Sequence, residues 1–217
     1  MKRVRELAAR YGVDPAPLVA LLGALAAEAD PPTTVADPVD EHLADSLSAL
    51  PYISPARLAD IGSGMGFPGL ALAAAIPSAH VTLVESQRRH AAVAERLARG
   101  AGLSNVSVLP LRAEEVGDEF DAVTARAVAP LAVLVEYAAP LLVEGGRLVA
   151  WKGARDAAEE RGGEEAARVV GLSLDRVEAV EPFPGAHSRH LHVYVKTAPT
   201  PERFPRRPGM ARKRPLA

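Results

Sequence analysis

Three stretches near the start, Val4–Tyr11, Pro15–Glu28 and Val39–Leu50, carry apolar residues at helical spacing, with Pro and Gly between them. They predict a small helical region over residues 1–56. Asp37-Pro38 offers a cap and a first-turn proline for the third helix, which contains His42 and Asp45. From Arg57 the pattern changes to short apolar runs alternating with amphipathic segments, the signature of βα units over a parallel sheet. Arg57–Ile61, His80–Glu85, Val106–Pro110, Phe120–Ala125 and Arg147–Trp151 read as strands. Pro68–Ala75, Arg88–Gly100, Leu131–Leu142 and Ala154–Val170 read as helices, and Gly145-Gly146 as a turn into the fifth strand.

Two further β-like runs, Asp175–Val180 and Leu191–Lys196, follow each other with no helical pattern between them, so they predict an antiparallel pair at the sheet edge. The expected architecture is α/β: a mostly parallel seven-stranded sheet over residues 57–197, with the helical region before it. Residues 198–217 carry Pro at short intervals and six basic side chains, Arg203, Arg206, Arg207, Arg212, Lys213 and Arg214. This composition predicts an extended or mobile tail.

Composition narrows the chemistry more than it alters this outline. With 217 residues and 48% hydrophobic content the chain can bury one good core. A formal charge of -2 means that any basic site must be local. No cysteine is present, which removes disulfides, thiolate metal sites and thiol nucleophiles together and suits a reducing cytoplasm. The longest apolar run, Leu18–Ala27, is half the roughly 20 residues a bilayer span needs, so neither export nor membrane association is expected, and the chain reads as a monomer.

The first strand ends in Asp60-Ile61-Gly62-Ser63-Gly64-Met65-Gly66-Phe67-Pro68-Gly69. Gly62, Gly64 and Gly66 let the backbone turn sharply and approach a ligand without Cβ obstruction. A plain strand-to-helix connection is the alternative. Three features point past it. Phe67 stands where a dinucleotide fingerprint wants its third glycine, which disfavours hydride transfer. Glu85 ends the second strand, where a carboxylate can accept both ribose hydroxyls. Arg112-Ala113-Glu114-Glu115 follows the third strand at the edge of the same crevice, where it could meet an adenine, or simply be a helix start whose acids suit the dipole. No Walker lysine follows the turn. Asp60 would attract the cationic end of S-adenosylmethionine and repel a pyrophosphate, so the expected cofactor is this methyl donor on a Rossmann-like domain.

At this point the residues resemble a specific family, the bacterial 16S rRNA guanine-N7 methyltransferases known as RsmG and earlier as GidB. The carriers are His42-Leu43-Ala44-Asp45-Ser46-Leu47, the turn Asp60–Gly69, Arg112-Ala113-Glu114, Thr124-Ala125-Arg126-Ala127-Val128-Ala129, Trp151-Lys152-Gly153, Arg189-His190-Leu191 and the tail Arg203–Gly209. The resemblance implies a class I S-adenosylmethionine-dependent methyltransferase. It implies that Gly62, Phe67, Ala113, Glu114 and Arg126 line the cofactor site, and that the substrate is a guanine in the decoding-region loop of 16S rRNA, naked or in the small subunit. The family usually has Arg before the first-motif His, where this chain has Glu41.

Guanine N7 has a free in-plane lone pair, so its methylation needs approximation to about 3–3.5 Å rather than a general base. No catalytic side chain is expected. Carbon-5 pyrimidine methylation generally employs a cysteine, and exocyclic-amine methylation an Asn/Asp-Pro-Pro-aromatic turn after strand four, where this chain reads Thr124-Ala125-Arg126-Ala127. Lys152, Arg189 and the tail, with Arg206 and Arg207, are candidate phosphate clamps, the alternative for the tail being a solvated end. Arg126 could instead pair internally with Glu114 or Asp60. His42 and His190 could face RNA or be core histidines, and Asp45 could pair locally. His187, His190 and His192 alternate along a strand and make a poor metal set, so no metal is expected. Truncating the tail is expected to abolish RNA methylation and spare cofactor binding. The competing functions are methylation of another RNA or a small molecule, a non-catalytic nucleic-acid-binding protein, and a nicotinamide oxidoreductase.

Overall fold

The computed structural model describes residues 1–54 and 56–217. Helices α1 (Lys2–Tyr11) and α2 (Pro15–Ala27) are followed by a single wide π turn, Val39–Ala44, running straight into the short α3 (Asp45–Leu47). The third predicted helix therefore exists, but its first half is wound with i→i+5 hydrogen bonds, a geometry that recurs at functional sites. Then come β1 (Arg57–Ile61), α4 (Gly69–Ala75), β2 (His80–Val84), α5 (Arg88–Gly100), β3 (Val106–Leu109), β4 (Phe120–Arg126), α6 (Leu131–Ala138), β5 (Leu142–Lys152), α7 (Ala157–Val170), β6 (Leu172–Val180), β7 (Arg189–Lys196) and α8 (Met210–Lys213).

The seven strands form one sheet in the order β3-β2-β1-β4-β5-β7-β6. All pairings are parallel except β5 with β7 and β6 with β7. After β1 the chain builds outward through β2 and β3, then returns to lay β4 against the other side of β1. That reversal leaves a crevice beyond the carboxyl ends of β1 and β4, where ligands of open α/β sheets bind.

Period-two alternation divides the sheet between two cores. Leu58, Leu83, Val149 and Trp151 face one side, with α4, α5 and the N-terminal residues Val4, Leu18, Leu21, Leu43 and Leu47. Ala59, Val84, Val123 and Tyr194 face the other, with α6 and α7. The N-terminal helices thus share the core of the sheet rather than standing apart. Each fully buried leucine there contributes about 1.5–3 kcal/mol. No described helix is long and apolar enough to cross a membrane.

Two expectations need correction. Gly145-Gly146 does not precede the fifth strand but lies inside it: β5 starts at Leu142, which pairs with Phe120, and the positive φ of Gly145 (79°) absorbs a register shift before Arg147 meets Ala122. The tail packs on the core instead of standing away from it. Phe204 and Ala211 are 7% and 2% exposed within the α6–α7 core, so apolar anchors spaced among the charges hold it down.

Candidate active site

The crevice has a volume of about 410 Å³. Its floor is the Gly-rich turn. Gly62 and Ser63 donate their amides to the Val84 carbonyl at 2.8 and 3.2 Å, which pins the turn to the end of β2. Glu85 follows at once. One of its carboxylate oxygens accepts the Gly64 amide at 2.9 Å and the other the Gln87 amide at 2.7 Å, so a carboxylate only 6% exposed is fixed against the glycine loop. Gly64 has φ +58°, and a Cβ built on it would meet nothing within 4 Å. Glycine here serves the backbone conformation and leaves open space above the loop.

Asp60 and Phe67 support this loop from beneath instead of lining the crevice. Asp60 is fully buried. It accepts the Gly69 amide at the start of α4 and the Thr124 hydroxyl of β4, both at 2.9 Å, so it ties helix and strand to the turn. Burial pushes its carboxyl up to about 7, with those two hydrogen bonds opposing. Gly66, with φ +112°, presses against Leu70: a Cβ there would lie 2.4 Å from the Leu70 side chain. Phe67 stacks on His42, ring centroids 4.2 Å apart and 13° from parallel. Gly62, Gly64, Glu85, Ala113 and Glu114 do line the crevice.

Arg126 sits at the end of β4, but its guanidinium leaves the crevice and crosses to the N-terminal helices. It donates to Asp45 at 2.7 Å and to the Glu41 carbonyl at 3.1 Å. Its internal partner is thus Asp45, rather than Glu114 or Asp60, because the π turn brings His42 to Asp45 over the ends of β4 and β5. Arg189 at the start of β7 places its Nε 3.7 Å from the second Asp45 oxygen, and Trp151 donates its indole N–H to the Asp45 carbonyl at 3.0 Å. Asp45 is 2% exposed, yet that second oxygen accepts no hydrogen bond, and neither does His42 Nδ1. Burial first, and the Arg126 charge second, depress His42 to about 4, so the ring is neutral. Beside this cluster opens a second hollow of about 450 Å³, lined by Asp37, Glu41, Gly153, Phe183, His187 and Arg189.

The other expected substrate contacts are distributed differently. Lys152 pairs with Glu159 at 2.5 Å, and His190 bonds the Gly153 carbonyl at 2.9 Å. His192 is buried against Glu160, so the three nearby histidines do not converge. Arg206 spends its fork on Glu136, with Nε at 2.6 Å, whereas Arg207 is exposed. Gln87, His90, Tyr137, Val128 and Arg212 also line the crevice and were not foreseen. Gln87 and His90 were findable, since they open the helix directly after Glu85. Tyr137 and Arg212 carry no local signal.

A family model described as rRNA small subunit methyltransferase G matches residues 31–191. The chain belongs to that family. A ribosomal RNA small subunit methyltransferase G of Roseiflexus castenholzii is 46% identical over 186 residues, covering 82% of this chain and 79% of the relative. That of Rubrobacter xylanophilus is 42% identical over 188 residues, covering 81% and 72%. Solved structures agree on the fold alone. An S-adenosylmethionine-dependent O-methyltransferase of Thermotoga maritima aligns with a TM-score of 0.61 at 20% identity over 84% of this chain and 73% of its own. Fibrillarin of Aeropyrum pernix with bound S-adenosylmethionine aligns at 0.56 and 19% over 70% and 73%. The matched stretch of the methyltransferase G family runs from before the π turn through β4 and β5 to Arg189 and leaves out the tail residue Arg212 of the crevice lining.

Proposed function

We propose that this chain transfers the methyl group of S-adenosylmethionine to N7 of a guanine in the decoding-region loop of 16S rRNA, working as a monomer in the cytoplasm on RNA or the small ribosomal subunit. The observation that carries the reading is the Gly64–Glu85 contact at the sheet's switch point, in a chain of the methyltransferase G family.

The crevice suits an adenosyl ligand. A carboxylate locked in place by two amides has lone pairs left for a pair of ribose hydroxyls, and the open space above Gly64 admits a ligand against bare backbone. The volume lies within the range of small-molecule sites. When bound, S-adenosylmethionine supplies an electrophilic methyl on a sulfonium.

The remaining work falls to the protein's own side chains. Glu85 and the Gly62–Gly64 backbone set the donor's place. Arg126, held by Asp45, keeps the loop after β4 at a fixed height beside the donor, so an incoming base meets a rigid rim. N7 attacks through its own lone pair, and no residue has to remove a proton. In an A-form helix N7 lies in a groove that side chains cannot enter, so the guanine must be splayed out. The hollow bounded by Glu41, Gly153 and Arg189 gives it room next to the rim, and half-buried Arg189 and exposed Arg207 are available to phosphates.

Incubation with labelled methyl donor and undermethylated small subunits tests the proposal. Label should map to one 7-methylguanine by reduction and aniline cleavage. Label on another atom, or none from folded protein that binds the donor, contradicts it.

A further inference from the structure

The basic tail behaves as part of the crevice wall. Three contacts bind it to three separate segments that surround the ligand space. Arg206 neutralises Glu136 of α6, a carboxylate 2% exposed. Gly209, in a left-handed turn with φ 79°, donates its amide to Glu114 at 2.8 Å. Arg212 donates to the Val128 carbonyl at 2.9 Å, in the loop after β4. Phe204 and Ala211, both buried, fix the segment between these points. Val128 is also the side chain that closes over Gly62, 2.7 Å from where its Cβ would stand.

Glu114 thus has one oxygen occupied by the tail, and Arg212 stands in the crevice lining together with Tyr137, Ala113 and Glu85. A guanidinium has five N–H donors. Its contacts with the Val128 carbonyl and the Tyr137 hydroxyl still leave Arg212 with donors for a ligand lying between β2 and the tail. A segment whose cations served RNA phosphates alone would turn them all to solvent. Here Arg206 turns inward to Glu136, and Arg212, although exposed to solvent, has its guanidinium tied to the Val128 carbonyl in the crevice lining, whereas Arg207, Lys213 and Arg214 are exposed.

We propose that residues 204–214 form the outer wall of the cofactor crevice and that Arg212 is a direct ligand of the bound adenosyl group. The tail then holds the methyl donor with one set of cations and presents another set to RNA. Truncation therefore costs cofactor binding as well as RNA methylation, against the expectation from composition. The inference rests on the proposed reading to the extent that the crevice holds S-adenosylmethionine.

The test is calorimetric titration of the full chain with S-adenosylmethionine, beside Arg212→Ala and Arg212→Lys, with limited trypsin digestion of the wild type with and without this ligand. Arg212→Ala should bind about tenfold more weakly, with Arg212→Lys in between. Bound donor should slow tryptic cleavage within residues 203–213 several-fold, a readout that needs no variant to fold. Wild-type affinity retained in folded Arg212→Ala overturns the proposal, and so does a cleavage rate indifferent to the donor. A folded wild type that binds no donor instead defeats the methyltransfer reading itself.

Discussion

The two walls of the active-site edge are built on opposite principles. On the glycine-loop wall the backbone amides and the carboxylates close on their neighbours, Gly62 and Ser63 on Val84, Gly64 on Glu85, Gly69 and Thr124 on Asp60, and among its described residues only the Ser63 hydroxyl is buried without a partner. On the π-turn wall, Asp45 and His42 are as deeply buried but each keeps an atom without a hydrogen bond. Burying a polar group unpaired costs free energy that an apolar side chain would not, so such atoms mark a place kept for something other than stability. The first wall has its charged groups paired in the free protein and leaves a single neutral hydroxyl open. The second keeps hydrogen-bonding capacity in reserve beside the place proposed for the guanine.

Breaking the Arg126–Asp45 pair should show the largest difference between the walls. Arg126→Ala leaves a buried carboxylate with only Arg189 near it, at a cost of about 3–5 kcal/mol in urea unfolding. A double variant with Asp45→Ala should recover part of that loss. A cost below about 1 kcal/mol would mean the π turn is held by apolar packing alone.

Titration sharpens the contrast further, because the walls respond to pH in opposite senses. His42 is depressed from 6.5 to about 4, so over that window the unfolded chain binds a proton that the folded chain refuses, and stability falls as pH drops. His192, also depressed by burial, acts in the same direction. Asp60 is raised from 3.8 to about 7, so the folded chain keeps a proton the unfolded chain has released, and stability falls as pH rises. The contributions offset one another between pH 4 and 7. Relative to His42→Gln, the wild type should lose up to about 3 kcal/mol on acidification across this range, and relative to Asp60→Asn it should lose a similar amount on alkalinisation. Parallel pH profiles for both variants and wild type would remove the distinction.

A smaller effect probes the packing of the glycine-loop wall. A Cβ on Gly69 would stand 2.2 Å from the Leu83 side chain and 3.0 Å from Asp60. Gly69→Ala should cost about 1–3 kcal/mol by thermal melting. Unchanged stability would show that the loop yields more readily than its hydrogen bonds suggest.

The difference between the walls also explains how much the sequence could disclose. Local relations were legible. β1 and α5 have the boundaries their periodicity predicts, and the Gly turn and Glu85 are linked by the spacing of one βα unit, Gly64 standing 21 residues before the acid. Contacts made across the fold were not. Arg126 reaches Asp45 over 81 residues and Arg206 reaches Glu136 over 70, and neither spacing has a period to betray it. Resemblance put Asp45 and Arg126 among the site residues, yet their pairing came only with the fold. Resemblance put Phe67 beside the cofactor, and the stacking of its ring on His42, 25 residues away in the chain, likewise came only with the fold. The tail misled through average composition: two buried side chains, Phe204 and Ala211, outweigh six charges in deciding that it packs.

A crystal grown with S-adenosylhomocysteine tests most directly whether the loop and Glu85 together make the donor site. Both ribose hydroxyls should lie within hydrogen-bonding distance of the Glu85 carboxylate, with the ligand chain over Gly64. A ligand bound elsewhere, or one whose ribose faces away from Glu85, would contradict the account.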